Sequence, residues 1–204
     1  MANVSVSVVI PTRNSAGTLG DTLRALRGQS DAPDNFELIL ADCRSSDGTQ
    51  EIGRKFGATI LNTPRRGPAA ARNVGLLRAS GEIIAYLDSD TIPTRRWLHE
   101  ITIPFKDPTA IVVGGKSISF RPETSAERFM STLRVEWNTI ARPDFPFIES
   151  MNMAVRRESA LRIGGWAEDM LTAEDLDFTL RLIRKFAARL VYAPKALIFH
   201  RQEN

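Results

Sequence analysis

The chain has 204 residues, 43% of them hydrophobic and 25% charged, and its 27 basic and 24 acidic side chains leave a formal net charge of +3. Those proportions exclude a disordered or low-complexity polymer, and no apolar run reaches the roughly 18–20 residues that a bilayer-spanning helix needs. The single cysteine, Cys43, excludes an intrachain disulfide, and Met1 to Val6 has no basic stretch leading into an apolar signal core; both features favour a cytoplasmic location. Arginine dominates the basic residues and suits bidentate contact with phosphate, a property shared by binders of nucleic acid, anionic membrane and phosphorylated substrates.

In chain order, the β-branched run Val4 to Ile10 predicts a buried strand that ends at Pro11. Asn14 or Ser15 is placed to cap a helix carrying Leu19, Leu23 and Leu26. Phe36 to Ala41 predicts a second strand, then a helix capped by Ser46 or Asp47, with Ile52 and Phe56 on one face and Gly57 as its stop. Ala58 to Leu61, a helix over Pro68 to Ala79 and the strand Ile83 to Leu87 complete an alternation that implies a parallel sheet covered by helices on both faces. The second half is less regular. Ile111 to Val113 and Ile118 to Phe120 predict strands, Ser125 to Ile140 a helix, and Arg142 to Phe147 a loop with two prolines. Asp175 to Phe186 predicts a helix with Leu176, Leu180 and Ile183 on one face, followed by short strands at Arg189 to Tyr192 and Ala196 to Phe199.

Open parallel sheets bind ligands at the carboxyl ends of their strands, so the polar residues just after each strand are the candidates for chemistry. Asp88 and Asp90 follow a buried strand; on an extended backbone their side chains share one side, where two carboxylates suit Mg²⁺ or Mn²⁺. A solvated turn with a helix cap explains the same residues. Asp42 follows the second strand and is suited either to accept hydrogen bonds from a base or ribose or to form an Asx turn, while Asp47 is better placed for capping. Thr12, Arg13 and Asn14 follow the first strand. Arg65, Arg66 and Arg72 surround Gly67 at a helix entrance, either as an anion site or as a solvated basic face. Glu174, Asp175 and Asp177 open a helix, where acids complement the dipole and where one acid can also serve as a general base. His200 is a metal ligand or an exposed terminal histidine, and Cys43 has no neighbouring ligand in sequence to support zinc or a catalytic thiol. Gly115-Lys116-Ser117 imitates the end of a phosphate-binding loop, but it lies between two strands and lacks the upstream glycine.

Taken in order, these pieces resemble the family 2 glycosyltransferases, inverting enzymes with a GT-A fold. The matching stretches are Val8 to Asn14, Asp42 to Thr49, Ala71 to Gly75, Ala79 to Glu82, Tyr86 to Asp90, Asn152 to Arg157, Gly164 to Trp166 and Glu174 to Phe178. The resemblance implies one α/β domain over 1–204 with a mostly parallel, Rossmann-type central sheet. Its donor half would cover about 1–92 and its acceptor half about 93–204. It further implies that Pro11, Thr12, Asp42, Arg72, Asp88 and Asp90 surround a nucleoside-diphosphate sugar, with a UDP-sugar favoured. Asp90, assisted by His200, would hold a divalent metal (Mn²⁺ or Mg²⁺), and Asp175 would be the catalytic base. Three features depart from the family pattern: Cys43 replaces a common second acid after the second strand, Ser150 stands near where a small glycine-containing stretch is common, and the chain stops soon after His200.

A Q-x-x-R-W motif is not evident, which points to transfer of one sugar rather than polymerisation. A glycan, a lipid-linked molecule or a small molecule would serve as acceptor, and nucleic acid would not be a partner. Pro122 to Ile148 is the expected acceptor wall, and its Phe129, Trp137, Phe145 and Phe147, either core or ligand-lining, also suggest peripheral contact with the inner face of the membrane. The competing readings are a non-catalytic nucleotide-sugar-binding module and a sugar-phosphate nucleotidyltransferase, the latter opposed by the missing glycine-rich N-terminal signature.

Overall fold

The computed structural model describes residues 5–31, 36–65, 67–120, 128–129, 141–142, 145–170 and 172–201, and for 141, 142, 145 and 146 the backbone. Its strands are β1 (Val6–Thr12), β2 (Glu37–Asp42), β3 (Thr59–Asn62), β4 (Ile83–Leu87), β5 (Thr91–Pro93), β6 (Ala110–Ser119), β7 (Ala141–Arg142), β8 (Phe145–Pro146), β9 (Asn152–Arg156) and β10 (Arg189–His200). The helices are α1 (Leu19–Arg27), α2 (Thr49–Lys55), α3 (Pro68–Arg78), α4 (Trp97–Thr102), α5 (Arg157–Arg162) and α6 (Glu174–Phe186).

Eight strands form one sheet in the order β3-β2-β1-β4-β9-β6-β10-β5. The expected parallel half is present: β2 and β4 flank β1, and β3 flanks β2, all parallel. Beyond β4 the sheet is mixed, because β9 runs antiparallel to both β4 and β6, β10 pairs parallel with β6, and β5 closes the edge antiparallel to β10. The fold is the α/β, Rossmann-like arrangement expected from the alternating pattern.

β1 explains why the first strand reads as a continuous apolar run. Val6, Val8 and Ile10 pack with Leu19, Leu23, Leu26, Trp97 and Leu98 on one face. Val9 packs with Ile39, Leu76, Tyr86, Trp166 and Phe178 on the other. A strand covered on both faces has no polar side to alternate with. Gly75 lets α3 lie close to β1, since a Cβ there would stand 2.3 Å from Val9 Cγ1.

Several expectations are corrected. α1 begins at Leu19 with Thr18 as its N-cap, so neither Asn14 nor Ser15 caps it by side chain; the Ser15 carbonyl accepts from the amides of Thr18 and Leu19. Asn14 instead adopts φ 48° and joins two loops, its amide donating to Ser45 Oγ and its Oδ1 accepting from the Ser46 amide. The two predicted strands around Gly114-Gly115 are one, as are those around Pro194: ladders on both edges hold β6 extended, and β10 absorbs its irregularity as a register shift between Ala193 and Leu197. The predicted loop over Arg142 to Phe147 contains the small antiparallel pair β7–β8. The buried face of α6 is Phe178, Thr179 and Leu182, one position away from the predicted stripe of Leu176, Leu180 and Ile183, because α6 docks through Phe178 onto Trp166. The predicted helix over Ser125 to Ile140 lies almost wholly outside the described residues. So do Asn3, Arg66, Trp137 and the Phe145 side chain. Phe129 is exposed and Phe147 is half-buried. Among the described residues no helix is long and apolar enough to cross a membrane.

Candidate active site

A cavity of about 470 Å³ opens at the carboxyl ends of β1, β2 and β4. That is within the usual size range for small-molecule sites and at the edge of the sheet where such folds bind ligands. Pro11, Thr12, Arg72, Asp88 and Asp90 all line it, joined by Arg13 and Glu174, which the sequence offered as candidates, and by Ser15, Cys43, Ser89 and Ser150, which it did not assign to the site. Gly67 and Pro68 open α3 at the same wall, so the positive end of that helix adjoins the cavity.

Asp88 and Asp90 do not lie on an extended strand. They form a turn closed by the Thr91 amide and hydroxyl on the Asp88 carbonyl. Thr22 pins this turn from α1 through the Ser89 and Thr91 carbonyls, and Ser89 Oγ donates to Ser15 Oγ. The two carboxylates therefore have different partners: Asp88 Oδ1 accepts from Arg72 Nη2 at 3.1 Å, and Asp90 Oδ2 lies 3.2 Å from His200 Nε2. His200 arrives from the last residue of β10, and the next amide, Arg201 N–H, donates to the Asp90 carbonyl.

Asp42 does not line the cavity. It is fully buried, and its carboxylate already accepts four hydrogen bonds: Thr12 Oγ1 and Ser45 Oγ on Oδ1, Ser45 N–H and Gln50 Nε2 on Oδ2. Burial alone would raise its pKa, but the donors from Ser45, Gln50 and Thr12 outweigh it and hold the carboxyl below the usual range. In this arrangement the carboxylate organises the loop after β2, as an Asx turn would, and its expected contact with a base or ribose would come from the rim of the cavity. Cys43, the next residue, faces the cavity, with Thr63 Oγ1 donating to its Sγ at 3.3 Å. Neither Ser46 nor Asp47 is the N-cap of α2, which is Gly48 at φ 90° with no side-chain cap; Asp47, one residue earlier, accepts from the Thr49 amide and hydroxyl and from the Ala16 amide.

The predicted arginine cluster separates. Arg65 is exposed and lies 3.5 Å from Glu168. Arg72, at 3% exposure, is clamped between Asp88 and Glu174, each at 3.1 Å, and its guanidinium carbon lies 5.1 Å from the Trp166 ring centroid. Trp166 in turn stacks on Phe178 at 4.0 Å and meets Tyr86 edge-on at 5.1 Å. The loop carrying Trp166 is fixed from two helices. Asn73 of α3 accepts from the Trp166 amide and donates to its carbonyl; Arg181 of α6 donates to the carbonyls of Ile163 and Gly165. Sequence reasoning quoted Asn73 and Trp166 within motifs but gave them no role; their contacts join segments 93 residues apart.

At the start of α6, three acids crowd one turn. Glu174 is paired with Arg72, and Asp177 with Arg181 at 2.6 Å. Asp175 has no cationic partner among the described residues; it accepts from the Leu176 amide at 3.0 Å and the Ser150 amide at 3.4 Å. It stands behind the wall formed by Ser150 and Glu174. Burial, then the Glu174 charge, push its carboxyl above the ordinary value.

With this geometry in place, the comparisons identify the class. The family model for glycosyl transferase family 2 matches residues 7–190, and the chain belongs to that family. The chain is 32% identical over 206 residues to the pre-mycofactocin glycosyltransferase of Mycobacterium tuberculosis, a match covering 96% of this chain and 42% of that protein. It is also similar to the mannosyltransferase PcManGT from Pyrobaculum calidifontis, solved with GDP-Man and Mn²⁺, with a TM-score of 0.77, 26% identity, and coverage of 98% of this chain and 57% of that one. Its fold matches S. aureus TarS, solved with UDP-GlcNAc, with a TM-score of 0.76, 20% identity, and coverage of 98% and 59%. The chain thus spans about half the length of the relatives it matches.

Proposed function

We propose that this chain carries out inverting transfer of one sugar from a nucleoside-diphosphate sugar to an acceptor hydroxyl, with Asp175 as the general base. The observation that carries the reading is the treatment of the three acids opening α6: two are neutralised by arginines, and Asp175, next to the cavity-lining Ser150 and Glu174 but not itself lining the cavity, is held only by backbone amides. A carboxylate in that setting retains an oxygen for a proton and is more basic than an exposed one. Its partner in the relatives' chemistry is the nucleotide sugar, GDP-Man in one solved structure and UDP-GlcNAc in another; a UDP-sugar is the first donor to test here.

In this mechanism the diphosphate lies between the N-terminal end of α3, Arg72 and the Asp88–Asp90 turn. The acceptor oxygen attacks the anomeric carbon and forms the new C–O bond as its proton passes to a carboxylate oxygen of Asp175. The bond to the diphosphate oxygen breaks on the opposite face, and the configuration inverts. The cavity lining carries three carboxylates, Asp88, Asp90 and Glu174, against two guanidiniums, Arg13 and Arg72. A diphosphate would meet repulsion there unless a cation accompanied it. Asp90 and His200 offer one oxygen and one nitrogen donor side by side and would be the residues to hold a divalent ion such as Mn²⁺. When bound, such an ion neutralises charge on the leaving diphosphate. Among the described residues no group of three metal-ligating side chains converges, in keeping with an ion that takes part of its shell from the substrate.

The test is thermal unfolding with UDP, GDP, dTDP or CDP, each with and without Mn²⁺. One nucleotide raises Tm only when the ion is present, because a ligand at 100 times its Kd adds about 2.7 kcal/mol to stability. No shift with any nucleotide in folded protein refutes the donor site.

A further inference from the structure

We propose that Glu174 is a positioning residue that, through Arg72, docks the first turn of α6 against the donor side of the cavity and so sets the place of Asp175. The inference rests on Asp175 being the base and goes beyond it by assigning the neighbouring acid. Glu174 is adjacent to Asp175 in the chain and lines the cavity, so it is the part of α6 that meets the opposite wall. Its only cationic partner among the described residues is Arg72 Nη1, at 3.1 Å. Arg72 is itself immobilised: Asp88 holds Nη2, Trp166 lies beneath the guanidinium, and α3 carries the backbone. A planar guanidinium with one carboxylate on each terminal nitrogen is a rigid spacer, and a flexible ammonium would not replace it.

The start of α6 needs such an anchor. Ala173, its N-cap, sits at φ 61° and gives no side-chain cap, so the first turn lacks the usual local restraint. Three acids in one turn also repel one another, and each paired arginine removes part of that repulsion. Farther along α6, Arg181, held by Asp177 of the same helix, already ties the helix to the Ile163 and Gly165 carbonyls. Glu174 performs the equivalent task at the end that faces the substrate. Burial makes the link consequential: at 3% exposure Arg72 cannot turn to water for a substitute partner.

Glu174→Ala, Glu174→Gln and Arg72→Met variants test this, alone and with Glu174→Ala combined with Arg72→Met. Turnover is read as nucleoside-diphosphate release from UDP-glucose, UDP-N-acetylglucosamine or GDP-mannose with Mn²⁺ and water as acceptor. Donor Kd is read by calorimetry, and docking by amide hydrogen exchange of residues 173–180. Glu174→Ala should slow turnover 10- to 100-fold, leave donor Kd within threefold, and speed exchange of that segment at least tenfold while the end of α6 is unchanged. Glu174→Gln should keep at least a third of the turnover, because its amide oxygen still accepts from Nη1, and Glu174→Ala should add no loss in the Arg72→Met background. Unchanged exchange in Glu174→Ala overturns the proposal. So does a loss of donor affinity as large as the loss of turnover, a Glu174→Gln variant as slow as Glu174→Ala, or a full additional loss on top of Arg72→Met. Exchange reads docking without any turnover, so it decides the proposal even if the donors are not cleaved. An Asp175→Asn variant with full turnover would instead remove the base assignment.

Discussion

The loop after β2 and the first turn of α6 both place carboxylates beside the cavity, and they treat them in opposite ways. Asp42 is fully buried with two donors on each oxygen, two of them serine or threonine hydroxyls and one a glutamine amide. Asp175 is half-buried, but its donors are backbone amides alone, those of Ser150 and Leu176 among them, and it has a negative neighbour in Glu174. The first arrangement stabilises the anion and pulls its pKa down; the second leaves the anion poorly compensated and pushes the pKa up. The lesson is that burial alone does not mark a reactive acid. The number and kind of donors around it separate a carboxylate that organises a loop from one suited to take a proton.

That contrast breaks most directly at Asp175. Asp175→Asn should lower transfer turnover by about 10²–10⁴-fold, the usual worth of a general base, while nucleotide Kd stays within a few-fold. Steady-state kinetics beside calorimetry check it, and a variant with undiminished turnover would end the assignment. The pH profile sharpens the same point. A base must be ionised, and a raised pKa keeps Asp175 protonated to a higher pH, so the acid limb of turnover should have its midpoint above that of an ordinary aspartate.

Asp42 should answer to stability instead. Asp42→Ala strands buried donors from Thr12, Ser45 and Gln50 and should cost about 2–4 kcal/mol in urea unfolding. Its carboxyl is held below the unfolded value, so its contribution is present above about pH 4 and is lost as pH falls through the folded value. Wild-type protein should therefore lose more stability than an Asp42→Asn variant between about pH 5 and pH 2; equal losses would show that these hydrogen bonds do not favour the ionised form. The smallest effect is expected at the loop that is held between α3 and α6. Gly165 has φ +75°, and a Cβ there would stand 2.4 Å from Asn73 Oδ1. Gly165→Ala should cost about 1–2 kcal/mol and disturb the Asn73–Trp166 clamp, read as lower Tm and altered tryptophan fluorescence.

How much was legible in the sequence depended on how local the signal was. The first four strands and three helices were readable because each carries its own periodicity and stop, as in Val4 to Ile10 before Pro11 or Phe56-Gly57 closing α2. Gly114-Gly115 misled, since two glycines suggest a break, whereas β9 and β10 pair on either edge and hold the strand through them. The stripe on α6 misled by one position because the decisive partner is Trp166, eight residues before the helix and brought to Phe178 only by the fold.

The sequence by itself determined the alternating parallel half, the location of the cavity-facing motifs at strand ends and the family to which the chain belongs. Those follow from short-range patterning and from the rule that strand ends in such sheets face the ligand. The tertiary structure alone decided which donors and charges surround each acid. Asp42 and Asp175 look alike as letters, but a carboxylate's basicity is set by donors and charges within a few ångströms. Ser150 stands 25 residues from Asp175, and Arg72 stands 102 residues from Glu174.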